Sequence, residues 1–288
     1  MTINKNEYRV LGCMSGTSLD GLDLALCNFS LFEGNWKFSI LKAQTLKYSE
    51  EWSRKLSEAT LISADALISL DREYGIHTAE IINTFLESAD LKPEFIVSHG
   101  HTVFHNPKKG YSFQLGNGND ISTITTLPVI YDLRNKDISL GGQGAPLVPI
   151  GDKLLFKDFD ACLNLGGFSN ISYEKNEERL AFDLCPVNII LNEIANNQGR
   201  AYDPEGSIGR SGEIVPELLN DLNSLQYYTQ SGPKSLGKEW LEKEFKACVS
   251  NYSIADTDIL RTIYEHITYQ ISSFINNENI KEVLVTGG

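Results

Sequence analysis

Apolar runs that end in glycine-rich bends recur along this chain and limit its folds more than any other feature. YRVLGC (8–13) runs into MSGTSLDG (14–21), DACLNLGG (160–167) closes on a glycine pair, and KEVLVTGG (281–288) does the same. Short apolar runs bounded by small residues read as buried strands. Glycines at their ends let the backbone take positive φ or approach a ligand closely. One such bend could simply turn the chain. Three of a kind suggest a nucleotide held at strand ends, in a cleft between two similar domains.

The pattern between the bends supports duplication. LDLALCNFSL (22–31) and WKFSILKAQTLKY (36–48) continue the first run as a meander around the turn at Glu33-Gly34-Asn35. Residues 50–90 are helical, with Leu67, Leu70, Tyr74, Ile81 and Phe85 on an inward stripe. PEFIVS (93–98), SFQLG (112–116) and LPVIYDL (127–133) read as strands. The second half repeats the plan. DACLNLGG is followed by a hairpin over 168–184, a helix over 187–197, and a Gly-, Pro- and Ser-rich stretch at 201–240. A long helix over 254–276 then carries Ile259, Ile263, Ile267 and Ile271, and a last strand follows. The expected class is α/β, with one domain over 1–130 and a second over 131–288. The length of 288 residues also favours about two domains.

Charge and cysteine usage narrow the setting. The formal net charge is −13, which argues against nucleic acid or a membrane surface as partner. It does not exclude an anionic small molecule held by a few local donors. The five cysteines, Cys13, Cys27, Cys162, Cys185 and Cys248, lack C-x-x-C spacing and read as reduced thiols of a cytoplasmic protein. No signal-peptide core or membrane span is visible.

Several residues have the chemistry for a site. In the first bend, Thr17 and Ser18 offer hydroxyls, successive N–H groups can face an anion, and Asp20 and Asp23 suit Mg²⁺ beside a phosphate. The bend is neither a P-loop nor a dinucleotide fingerprint; the alternative is a plain hairpin turn. Asp183 follows an apolar strand and suits a general base, or else caps the helix at 187. His99, His101 and His105 suit polar contacts to a substrate, or, in a metal-dependent hydrolase, a metal. Arg134 suits bidentate grip of a carboxylate, against a surface ion pair.

Taken together, MSGTSLDGLD (14–23), SHGHTVFH (98–105), YDLRNKDISLGGQGAPLVP (131–149), NLGGFSNIS (164–172), FDLCPVN (182–188) and VTGG (285–288) resemble the anhydro-N-acetylmuramic acid kinase family of bacteria. The resemblance implies an actin-like, sugar-kinase ATPase fold, with two ribonuclease-H-like domains closing over ATP and a sugar. It implies ATP-dependent hydrolytic opening of 1,6-anhydro-N-acetylmuramic acid with phosphorylation of O6, giving N-acetylmuramic acid 6-phosphate and ADP in peptidoglycan recycling. By motif, Ser15, Gly16, Thr17, Ser18, Leu19, Asp20, Gly21, Leu22 and Asp23 would form the first phosphate turn. Gly166 and Gly167 would form the second, and Thr286, Gly287 and Gly288 would begin the adenosine segment. Asp183 would be the base, and His101, Thr102, Arg134 and Asn188 would contact the sugar. Mg²⁺ would sit at Asp20, directly or through water. The expected partner is a small sugar, with no nucleic acid and no membrane; a homodimer is compatible with the sequence.

Two departures qualify the resemblance. The family has Thr-Gly-Pro-Gly-Asn after the base, where this chain has Leu184-Cys-Pro-Val-Asn188. The resemblance also implies more chain beyond VTGG. That leaves two expectations: a piece of an active kinase, or a naturally short, inactive relic that binds nucleotide or sugar.

Overall fold

A computed structural model describes residues 6–16, 19–230, 232 and 234–287. They form two compact units, Met1–Leu147 and Val148–Gly288.

In the first unit, β1 (Glu7–Ser15), β2 (Leu22–Phe32) and β3 (Asn35–Leu46) form an antiparallel meander. The β2–β3 turn uses positive φ at Glu33 (49°) and Gly34 (78°), the hand that suits a twisted hairpin. Helices α1 (Glu50–Glu58) and α2 (Ala64–Glu87) follow, each capped by a serine: Ser49 accepts from the Trp52 N–H and Ser63 from the Ala66 N–H. Next, β4 (Phe95–Asn106) lies parallel to β1. Then come β5 (Tyr111–Leu115), α3 (Gly118–Thr125), β6 (Val129–Ile130) and α4 (Leu133–Ser139). The sheet order is β3-β2-β1-β4-β5, with β6 also paired to β4. The stripe expected on α2 faces inward: Leu70, Tyr74 and Phe85 are buried, Leu67 and Ile81 are partly buried against the core, and Ile82 is fully buried beside them. Only Val129 and Ile130 of LPVIYDL pair as strand, because Asp132 turns left-handed (φ 56°) and starts α4. Residues of 131–147, read from sequence into the second half, bond to unit 1: Asn135 exchanges hydrogen bonds with the Ser112 backbone.

The second unit opens with α5 (Val148–Leu155), then the meander β7 (Ala161–Leu165), β8 (Phe168–Lys175) and β9 (Glu178–Pro186). Helix α6 (Asn188–Asn197) follows, and the helix Asp256–Asn277 leads to β10 (Val283–Gly287), parallel to β7. The sheet order is β10-β7-β8-β9. Each unit therefore has a three-stranded meander with a parallel strand laid beside its first strand. The second core joins Leu163, Ile171, Cys185 and Ile190 to Leu260, Ile263 and Phe245.

His266 lies within that core, fully buried on the helix Asp256–Asn277. Its Nδ1 donates to Asn223 Oδ1 (2.7 Å) and its Nε2 accepts from the Tyr228 hydroxyl (2.9 Å), so the neutral ring satisfies both partners. Burial lowers its pKa from 6.5 to about 3. The unfolded chain therefore binds this proton first. The stability that the neutral ring contributes is fully present above about pH 6.5 and drains away as pH falls toward 3. Urea midpoints measured from pH 7 to pH 4 are expected to fall for the wild-type chain and to fall distinctly less for His266→Gln. Parallel slopes would remove His266 as the cause.

Candidate functional site

The first glycine bend leaves the end of β1. Ser15 is 1% exposed and sits opposite His101 in the parallel β1–β4 register. Its Oγ is 2.9 Å from His101 Nδ1. His101 is itself buried, against the edge of Tyr74, and burial and then His99 hold its pKa down. In this geometry His101 holds the strand end beneath the bend. Gly16 accepts from the Leu19 N–H at 3.2 Å, with Leu19 left-handed at φ 64°. A Cβ on Gly21 would collide with the Leu46 carbonyl, so the chain there needs glycine. Thr17 and Ser18 lie outside the described residues. Leu22 is core, and Asp23 accepts from the Thr45 hydroxyl at 2.5 Å. Asp20 is exposed, with no hydrogen-bond or ion-pair partner among the described residues.

Two concavities in this unit share His99 as a lining residue. One of about 610 Å³ is lined by Gly12, Cys13, Met14, Asp23, His99 and Leu133, among others. A smaller one, about 130 Å³, lies on the other side of His99 and is lined by Asp71, Gln114, Asn117, Asp132 and Asn135. Arg134 donates to the Gly144 carbonyl (2.6 Å) and to His99 (2.7 Å), and desolvation lowers its pKa. Thr102 is half-buried opposite Gln114 on β5. The three histidines form no metal cluster among the described residues. His99 faces a guanidinium, His101 a serine and His105 the Ser112 hydroxyl.

In the second unit, strand register does the assembling. Thr286 pairs with Asn164, Asn164 with Asn170, and Asn170 with Asp183, one polar row across four strands. Cross-strand partners share a sheet face. Gly287 stands next along β10 at φ 81°, where a Cβ would lie 2.7 Å from Asn164 Oδ1 and 2.8 Å from the Leu165 carbonyl. The Gly166 and Gly167 carbonyls accept the Val187, Asn188 and Ile189 N–H groups. The Asn188 side chain donates to the Leu165 (2.8 Å) and Gly166 (3.0 Å) carbonyls. It braces the bend whatever else it touches. Gly288 lies outside the described residues.

Asp183 is part of β9 and caps no helix; the residue before α6 is Val187, without a side-chain cap. Its Oδ2 accepts the Leu236 N–H at 2.8 Å. Its main chain is gripped on both sides: the N–H donates to the Lys234 carbonyl (3.0 Å), and the carbonyl accepts from Tyr227 (2.6 Å). Lys234 in turn donates to the Tyr227 carbonyl and lies 4.3 Å over its ring. Among the described residues Oδ1 has no partner. Burial raises the Asp183 pKa, opposed by the Leu236 N–H. Leu184, Cys185 and Val187, the three departures in FDLCPVN, are all in the core of this unit.

Sequence reading missed Tyr227, on a short helix, and Lys234 and Leu236 beyond it, which approach Asp183 from about fifty residues along the chain. It also left Asn170 unassigned, although NLGGFSNIS displayed it.

The family model for anhydro-N-acetylmuramic acid kinase matches residues 8–288. A Pasteurella multocida protein of that name is 34% identical over 296 residues, covering 96% of this chain and 78% of the relative. A Sulfurovum protein of that name is 34% identical over 301 residues, covering 98% and 81%. A solved glucokinase of the ROK family from Streptomyces griseus, in complex with glucose and AMPPNP, aligns at TM-score 0.36 and 12% identity over 98% of this chain and 83% of that one.

Asn188→Ala removes the side-chain amide from the Gly166 bend: the Leu165 carbonyl loses this donor, while the Gly166 carbonyl keeps the main-chain N–H of residue 188. The expected loss in urea unfolding is about 1–3 kcal/mol. Unchanged stability would show that Asn188 is not a brace.

Proposed function

Since the chain belongs to the anhydro-N-acetylmuramic acid kinase family, and is a kinase, we propose that it uses ATP and water to convert 1,6-anhydro-N-acetylmuramic acid to N-acetylmuramic acid 6-phosphate and ADP. The observation that carries this reading is Asp183: a half-buried carboxylate on a strand, fixed at Oδ2, with no partner for Oδ1 among the described residues.

Water is a poor nucleophile at neutral pH and needs a base aimed at it. Asp183 Oδ1 takes a proton from water as the water oxygen bonds to the anomeric carbon. The 1,6-ether bond breaks, and O6 takes the γ-phosphoryl group. The water oxygen ends on C1, and ADP leaves. The Leu236 N–H and the Tyr227 clamp hold the carboxylate still, which keeps the reacting atoms in line. Its raised pKa makes it a stronger base than an exposed aspartate.

The bend over Gly16–Asp23 offers main-chain donors to the phosphates, and the Gly166 and Gly287 bends bring bare backbone close to a nucleotide. Mg²⁺ suits Asp20: this ion keeps most of its waters and needs one or two carboxylates plus substrate phosphates, and Asp20 is exposed and unpartnered. When bound, Mg²⁺ neutralises phosphate charge. Arg134 has no carboxylate partner among the described residues and suits the lactyl carboxylate of the sugar. The product is a cell-wall amino sugar phosphate, which fits peptidoglycan recycling in the cytoplasm, where ATP is at hand.

Asp183→Asn keeps the shape and removes the base. Turnover, followed as ADP release, is expected to fall by about 10³-fold, with ATP affinity by calorimetry within about twofold. Near-normal turnover would remove Asp183 from the role. In the wild-type chain kcat/KM should fall as pH drops through the Asp183 pKa, with the acid limb shifted upward from that of an exposed aspartate because burial raises that pKa.

A further inference from the structure

Arg134 meets no opposite charge among the described residues. Among the described residues no carboxylate lies within ion-pair reach, and its Nε is buried without a hydrogen-bond partner. Its remaining contacts are neutral: the Gly144 carbonyl on Nη1 and His99 on Nη2. A guanidinium cannot accept a hydrogen bond, so His99 Nε2, 2.7 Å away, must offer a lone pair. On the other side of the ring, Nδ1 is 2.9 Å from the Gly100 carbonyl, which can only accept, so Nδ1 carries the proton. The two contacts leave one state of His99 that satisfies both: neutral, protonated on Nδ1. A second proton would aim an N–H at the guanidinium and set two like charges in contact.

We propose that His99 is a positioning residue for substrate binding: its neutral Nδ1-protonated ring fixes the Arg134 fork so that it can receive the sugar carboxylate, and protonation of the ring releases it. This rests on the kinase reading and names a residue that the reading did not use. His99 is the wall common to the two concavities. The groups that face it are Cys13 from β1 and Asp23 from β2 across the larger hollow. Asp71 from α2 and Asp132 before α4 face it across the smaller, with Arg134 on α4 and His101 on its own strand. Desolvation, with a smaller contribution from Arg134, lowers the His99 pKa, so the clamp is intact at neutral pH and opens only in acid.

Nitrogen-15 NMR of the full chain reads the ring directly. Its tautomer is expected to be Nδ1-protonated, with a titration midpoint that moves upward in Arg134→Met and stays depressed in Arg134→Lys. A midpoint unmoved by Arg134→Met, or the opposite tautomer, overturns the proposal. Steady-state kinetics supply a second reading. His99→Leu should raise the KM for the anhydro-sugar about tenfold, with kcat and the KM for ATP within about twofold. Gln carries an acceptor at the place of Nε2 and does not titrate. His99→Gln should therefore restore the sugar KM at pH 7.5 and remove its rise in acid. A loss in kcat alone, or an acid rise that survives in His99→Gln, contradicts the proposal. If the wild-type chain turns over no anhydro-sugar, the kinase reading fails, and the NMR result still decides the role of His99.

Discussion

The register of the second sheet is what the proposed chemistry depends on. Parallel pairing of β10 with β7, and antiparallel pairing onward to β9, set Thr286, Asn164, Asn170 and Asp183 in one row. A slip of one residue would send every side chain of a strand to the other face. It would exchange Asp183 for Leu184, which belongs to the core. The same hydrophobic alternation that buries Leu163 and Ile171 therefore also aims the carboxylate. The segment that carries Tyr227, Lys234 and Leu236 then fixes it at main chain and side chain.

The first unit handles charge differently. A chain with a net charge of −13 attracts no anion by its overall field, so its anion sites must be local. The Arg134 guanidinium, without a carboxylate partner among the described residues, is one such local means. Burial lowers the pKa of each of His99, His101 and His105, and Arg134 reaches the concavities through His99, which lines both. Tyr48, Tyr74 and His101 form a packed floor under Ser15, with the two tyrosine hydroxyls 2.5 Å apart. This floor fixes the strand end from which the bend departs.

Much of this was legible in the chain. Each glycine bend does sit at a strand end, because apolar runs of five to nine residues had nowhere to go but a sheet interior. The ten strands and both long helices follow from period and turn chemistry, apart from LPVIYDL, where a left-handed Asp132 overrode the apolar pattern. On α2 the stripe was read at Ile81, and both Ile81 and its neighbour Ile82 pack against the core, Ile82 the more deeply. Family motifs named Asp183 and Arg134, but not what holds them. Tyr227, Lys234 and His99 act through contacts set by tertiary folding, and their local sequence carries no sign of it. Asn188 shows the converse: a motif residue read as a sugar contact whose amide is engaged on its own backbone bend.

The reaction proposed here requires water to add to carbon while phosphorus goes to O6, and isotopic labelling separates those two fates. The full chain is incubated with ATP, Mg²⁺ and 1,6-anhydro-N-acetylmuramic acid in ¹⁸O-water, and the products are analysed by mass spectrometry. The expected result is one ¹⁸O at C1 of the sugar 6-phosphate, none in its phosphate group, and one ADP for each sugar opened. Label appearing in free inorganic phosphate, with the anhydro ring intact, would contradict it.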